Sequence, residues 1–318
     1  MMSHAERLNY ESQGRKMKAN ITSPYIKDEG AGSERMELPA PRYWKRVVRH
    51  LLRDPVTIGC TLIIVAVVGA AIAAPFIAPA NPFEASMMNR LQPIGSEGYL
   101  LGTDRLGRDI LSRLLYGGRV SLIMGIAPVL LAVLIGGGMG ILAGYAGGFM
   151  NTVIMRTMDV FYAFPSILLA IAIAGAMGPG ISNGIIALTL VFIPPMTRVA
   201  ESAATQIRKH DYIEAARAAT SSHYRVLRVH VVGNVVGTIL VYATSLVSLS
   251  IIIASGLSFL GLGVSPPNPE WGLMLSDLRE SIYFNPWVAV LPGLMIFVTS
   301  VSFNLLSDGL RSAMDIRL

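Results

Sequence analysis

Six stretches of this chain, at 56–80, 120–145, 160–177, 184–197, 235–262 and 287–307, contain no Asp, Glu, Lys, Arg or His. A helix needs about 20 apolar residues to cross a ~30 Å hydrocarbon core, so these runs predict an all-α polytopic membrane protein with six transmembrane helices. Composition agrees: 53% of the 318 residues are hydrophobic and 14% charged, against roughly a quarter charged in ordinary soluble domains. Such blocks exclude a disordered chain, a coiled coil and a nucleic-acid module, in spite of a net charge of +6. The 184–197 stretch is short and holds Pro194 and Pro195, which predicts a kinked helix with a polar extension to Glu201 or beyond. Residues 1–44 are polar and lack the apolar run of a cleavable signal, so the first span is expected to be an uncleaved anchor behind a disordered tail.

Basic residues set the expected orientation. With the N-terminus inside, 20 of the 26 Lys and Arg residues fall on the inner face and six on the outer, which predicts an N-in, C-in topology. The net charge is then explained by insertion and by contact with anionic membrane lipids, without nucleic acid. The single cysteine, Cys60, can form no intramolecular disulfide and no thiolate metal cluster, and no metal site is expected. Gly136, Gly137 and Gly138 sit inside a span with no strand before them, which fits close helix packing rather than a phosphate loop. The chain is therefore not expected to bind ATP itself.

No acidic residue and no histidine lies at predicted membrane depth. An ion-coupled secondary transporter or channel would keep an ion site there, so energy for uphill transport must enter through a loop. The larger inner loop, 198–234, is the candidate. Asp211 and Glu214 have capping-box spacing, and 212–219 combines helix propensity with small side chains. Taken alone, this helix could seat another protein or simply lie on the chain's own surface, with Glu214 as a cap. Thr220, Ser221 and Ser222 should end it.

On the outer face, 102–117 mixes charges with Ile110, Leu111, Leu114 and Leu115 on one helical face, as an amphipathic segment lying on the bundle would. Its ion pairs are read as structural. Pro266, Pro267 and Pro269 stiffen an outer loop, and Trp271 and Trp287 suit headgroup depth. Arg156 and Asp159 could pair on one helix face as a structural element. The methionines in the spans are read as packing or lipid-facing residues rather than a peptide-lined path.

Four motifs carry a family resemblance. Tyr212-Ile213-Glu214-Ala215-Ala216-Arg217-Ala218, with His230 and Asn234 further on, resembles the EAA loop of ABC-type import permeases, whose helix seats in a cleft of the ATPase subunit. The segment from Leu101 to Gly117, with Gly102, Thr103, Asp104, Gly107, Arg108, Asp109 and Arg113, is similar to the LGTDxxGRDxxSRxxYG signature of the dipeptide/oligopeptide/nickel branch. Residues Leu257 to Gly272, with Gly261, Gly263, Pro266, Pro267, Pro269, Trp271 and Gly272, look like its LxFLGLGxxPPxPxWG segment. Asp308-Gly309-Leu310-Arg311 with Asp315 and Arg317-Leu318 resembles its closing DGLRDxLDPRL.

The resemblance implies the inner-membrane C-type permease subunit of a binding-protein-dependent importer, with a type I ABC importer permease fold. Its implied parts are a cytoplasmic tail (1–44), a first span and periplasmic segment (45–118), a permease core with five spans (119–308) holding the coupling loop (198–234), and a cytoplasmic end (309–318). Tyr212, Glu214, Ala215, Ala216, Arg217 and Ala219 would meet the ATPase. The implied partners are a homologous second permease, two ATPase subunits that bind ATP and Mg, and a periplasmic or lipid-anchored binding protein. The chain itself would bind no cofactor and catalyse no covalent reaction. Di- or oligopeptides are the expected cargo, with nickel chelates, opines or oligosaccharides as alternatives, across a bacterial inner membrane. An ATPase-independent secondary transporter and a non-transporting scaffold are the rivals from other classes, and both leave the four motifs unexplained. Two positions depart from the family: Thr220 replaces a Gly and Gly233 replaces a Pro. Thr pays for a left-handed turn that Gly adopts freely, so one of Thr220, Ser221 and Ser222 is expected to cap the next helix instead.

Overall fold

The computed structural model describes residues 47–213, 222 and 225–314. Expectations for the tail, for 214–220 and for Asp315, Arg317 and Leu318 lie outside the described residues. Helix α1 (Pro55–Ile77) opens on Asp54, whose carboxylate accepts Val56 N at 3.3 Å and Thr57 N at 3.0 Å. Hydrogen bonds from Thr57 hold that carboxyl below the usual carboxylate value. Helix α2 (Ile110–Ala132), a π turn (Val133–Gly137) and α3 (Gly138–Ala146) form one apolar rod. Residues 110–117 are thus the first turns of a span and not the separate surface segment expected. Asp109 caps them, with Oδ2 accepting Ser112 N at 2.7 Å, and Arg113 is buried and paired instead of facing the interface.

The third apolar stretch departs most from expectation. It divides into α4 (Gly148–Tyr162) and α5 (Ser166–Met177), bent by 83°. Pro165 supplies no amide donor and disfavours helical backbone at Phe164, which favours a break at this point. Among the described residues, five helices are therefore long and apolar enough to cross a membrane, or six if the bent pair counts as one span.

Helix α6 (Ile181–Arg208) runs through Pro194 and Pro195 and carries the polar extension expected of it. A π segment (Val226–Val232) leads into α7 (Gly233–Phe259), with helical backbone at Gly233. The short α8 (Trp271–Leu278) precedes α9 (Pro286–Met314). The divisions expected at 118/119 and 308/309 fall within the ranges of α2 and α9.

Helix α7 is central, packing on α9, α2 and α6, while α1 lies against α9 and α2. Met124, Leu188, Phe192, Met196 and Ile251 are among the core side chains closed to solvent. Along the α3–α6 seam, a Cβ at Gly136 would lie 2.7 Å from Ile193 O, at Gly140 2.3 Å from Thr197 O, and at Gly144 2.6 Å from Glu201 O. This four-residue spacing puts three bare backbones on one face, as small residues do wherever helices approach closely in lipid.

Candidate functional site

At one end of the bundle the expected signature residues build a buried polar lock. Gly102 and Gly107 take positive φ (79° and 74°) in the loop before α2. A Cβ at Gly107 would meet Ser86 O at 1.8 Å, so the loop folds back on its own backbone only with glycine there. Thr103 Oγ1 accepts Gln92 N at 2.9 Å and donates to Asn89 O, which closes that fold. The turn presents Asp104 inward. Its Oδ1 accepts Leu106 N (2.8 Å) and Arg108 N (3.0 Å), and its Oδ2 accepts Arg108 Nε (2.6 Å) with Arg113 Nε at 3.6 Å. Both guanidinium groups reach Asp277 on α8, at 3.4 Å and 4.0 Å, and Arg113 Nη1 donates to Pro82 O at 3.1 Å. Two cations face two carboxylates here, so removing one partner would strand an enclosed charge.

The second signature docks into the first. Trp271 is 1% exposed, with Nε1 donating to Leu114 O at 3.0 Å. It fills the space beside Gly118, and its one polar atom is satisfied inside the bundle. Trp287 is exposed. Gly272 packs on α7, where a Cβ would lie 2.2 Å from Ser255 O, and Gly263 packs on Ser258. Gly261 takes positive φ (80°) just past α7. Pro266 lines a cleft beside Gly180 and Asn183 at the start of α6; Pro267 and Pro269 carry on the same loop.

Three residues central to this end were not singled out from sequence. Glu270 caps α8 from a fully buried position: Oε1 accepts Gly272 N (3.0 Å) and Ser121 Oγ (3.0 Å), and Oε2 accepts Leu273 N (2.8 Å). Burial pushes its carboxyl above the usual carboxylate value, opposed by hydrogen bonds from Gly272, Leu273, Ser258 and Ser121. An acidic residue directly before Trp271 and Gly272 was the available capping signal. Ser121 and Asp277 gave none, because each acts on a residue far away in sequence.

At the opposite end the two arms of the 198–234 loop meet. Asn234 Nδ2 donates to Tyr212 OH (3.1 Å) and to His230 O (2.8 Å). The Tyr212 ring stacks on His210 at 5.7 Å and tilts against His230 at 6.1 Å. Ile213 is fully buried beneath. Glu214, Ala215, Ala216, Arg217, Ala219 and Thr220 lie outside the described residues, so what is in view is the base on which the expected coupling helix stands. Ser222 Oγ accepts Arg225 N at 3.3 Å, a hydroxyl cap of the kind expected before the next helix. Nearby, Asp159 bonds not only Arg156 (3.5 Å), as its spacing suggested, but more closely Arg198 of α6 (2.5 Å). Among the described residues no group of three or more His, Cys, Asp or Glu could hold a metal ion.

With this geometry in hand, similarity to known proteins can be placed on it. Residues 136–318 match the family described as the binding-protein-dependent transport system inner membrane component, and 42–93 match the N-terminal TM domain of oligopeptide transport permease C. The chain is 40% identical over 275 residues to the glutathione transport system permease protein GsiD of Pectobacterium atrosepticum, covering 86% of this chain and 91% of that protein. It is 41% identical over 285 residues to the di/tripeptide transport system permease protein DppC of Pseudomonas aeruginosa, covering 88% and 93%. A solved structure of the MetNI methionine ABC transporter, inward facing, aligns with TM-score 0.54 at 16% identity, over 64% of this chain and 97% of that one. That likeness concerns the fold alone.

Proposed function

Because this chain belongs to the family of binding-protein-dependent transport system inner membrane components, multi-pass proteins of the bacterial inner membrane, we propose that it is the permease subunit of an ATP-driven importer forming half of a pathway for di- or oligopeptides. The observation that carries this reading is its near-full-length similarity to two permeases named for glutathione and for di/tripeptides. A homologous permease supplies the other half, two ATPase subunits bind ATP and Mg, and a periplasmic or lipid-anchored binding protein delivers the cargo. This chain performs no covalent chemistry. Closure of the ATPase pair moves the helix around Glu214, and that displacement exchanges inward- and outward-facing states.

The contact between Tyr212 and Asn234 supports this coupling role. It ties the helix's first turn to the start of α7, so force applied at 212–219 is transmitted to the central helix and not absorbed by a slack loop. The test is to replace Ala215 and Ala216 with Arg in the assembled transporter. Insertion should persist while peptide uptake and transport-linked ATP hydrolysis fall to background. Normal uptake would remove the coupling assignment.

A further inference from the structure

Two clefts open along α6 where α4 and the bend after it pack against it. One, of about 480 Å³, is lined by Asn151, Arg156, Asp159, Arg198 and Glu201 among others. The other, of about 360 Å³, is lined by Phe161, Tyr162, Phe164, Pro165, Pro194 and Pro195 among others. Each is of a size that small-molecule sites commonly have, ~300–1,000 Å³. Arg198 joins them: its guanidinium lies 4.3 Å from the Tyr162 ring centroid and bonds Asp159 at 2.5 Å. A polar strip with both charge signs thus runs continuously into an aromatic and proline surface at the bend between α4 and α5.

Several features make this more than a tie between helices. The Asp159 and Arg198 side chains are 39% and 42% exposed, at the end of the apolar stretch of α6, and an open ion pair facing hydrocarbon is costly. The face therefore meets water or protein. Its hydrogen-bonding capacity is also unspent. The Arg156 side chain is 80% exposed, and among the described residues Glu201 is bonded only at Oε1, by Asn151 (2.6 Å) and Thr205 (2.9 Å); Arg198 Nε is unpartnered there but closed to solvent, so an incoming group meets the outer nitrogens of that guanidinium. A guanidinium suits a carboxylate, a carboxylate suits an ammonium, and aromatic faces accept apolar side chains or a cation.

We propose that this strip is a transit subsite for zwitterionic peptides. The terminal carboxylate is held at Arg198, the ammonium at Asp159 and Glu201, and a side chain against Tyr162 and Phe164. The inference rests on the peptide-permease reading above. Because Arg198 is already engaged by Asp159, an incoming carboxylate exchanges one ion pair for another and is held weakly. Weak holding suits a pathway, where the cargo must leave as readily as it arrives.

The test uses the complete transporter, with its partner permease, ATPases and binding protein, in liposomes. The probe is a dipeptide carrying benzoylphenylalanine, delivered during ATP turnover, illuminated and mapped by mass spectrometry. Labelling is expected on 155–166, and Arg198→Gln should lower both labelling and uptake by about tenfold, the ratio that one lost charge-assisted hydrogen bond gives. Binding-protein-stimulated ATP hydrolysis should stay within about twofold, and Arg198→Lys should restore part of the uptake, which separates cargo contact from misfolding. Labelling confined to other helices, equal labelling by the N-acetylated, C-amidated peptide, or capture of the strip by a photoreactive phospholipid instead would overturn the subsite alone. Absence of any peptide uptake by the unaltered transporter would overturn both the subsite and the peptide reading.

Discussion

Glu270 illustrates how one side chain can hold two helices together. Its carboxylate caps α8, and through Ser121 Oγ, which also accepts Trp271 N at 3.1 Å, it ties α8 to α2. Glu270→Gln would turn an amide donor toward a backbone donor at one oxygen position, so the assembled protein should lose roughly 1–3 kcal/mol, read as a lower melting temperature in detergent. The pH dependence has a definite sign. Its folded value is raised above the usual carboxylate value. The ionised form is therefore penalised on folding; that penalty is absent below the unfolded value and grows as pH rises through the folded one. Lowering the pH from about 8 to about 5 should then widen the melting-temperature advantage of the wild type over Glu270→Gln. An advantage that shrinks on acidification would show that the hydrogen bonds outweigh desolvation.

Among the helices, the seam between α3 and α6 tolerates least. A Cβ at Gly140 meets backbone on α6, which cannot swing aside as the end of a side chain can, whereas at Gly138 nothing lies within 4 Å. Gly140→Leu should force the two helices apart, at an overpacking cost of about 1–3 kcal/mol or more, and sharply reduce the yield of folded protein. Gly138→Ala should be neutral or slightly stabilising, since alanine favours helix over glycine. Equal yields for the two variants would rule out the seam as a close-packed element. The long apolar runs were legible beforehand because they are a local pattern; of Gly136, Gly137 and Gly138, read as a packing element, only Gly136 lies on the seam, and Gly140 and Gly144 were not singled out. The break at Phe164 and Pro165 was only partly legible, since proline disfavours helix but Pro75, Pro128, Pro194, Pro195 and Pro292 all lie inside unbroken helices. Its 83° consequence was not, because the direction taken by α5 depends on packing against α6. Arg198 was hidden for the same reason: Arg156 and Asp159 share a helix, but the closer partner arrives from another.

Across the whole molecule the two signature regions sit at opposite ends, with the 102–117 and 257–272 motifs interlocked at one and the arms of the 198–234 loop joined at the other. Which motifs exist could be read along the chain; that two of them form a single buried lock could not, since the bond that joins them, from Trp271 Nε1 to Leu114 O, spans residues far apart in sequence. The lock also changes how orientation should be probed. Asp104 and Trp271, natural reporters by sequence, are 3% and 1% exposed and would be protected whichever way the chain inserts. Met88 and Glu280 at the lock end, and Ser222 at the loop end, are open to solvent. The excess of basic residues beside the loop predicts that the lock faces outward. In a Cys60→Ser background, Met88→Cys and Glu280→Cys should therefore react with an impermeant thiol reagent added to spheroplasts. Ser222→Cys should react only after the membrane is permeabilised. The opposite labelling pattern would invert the topology and place the ends of Tyr212 and Asn234 beyond reach of any cytoplasmic ATPase.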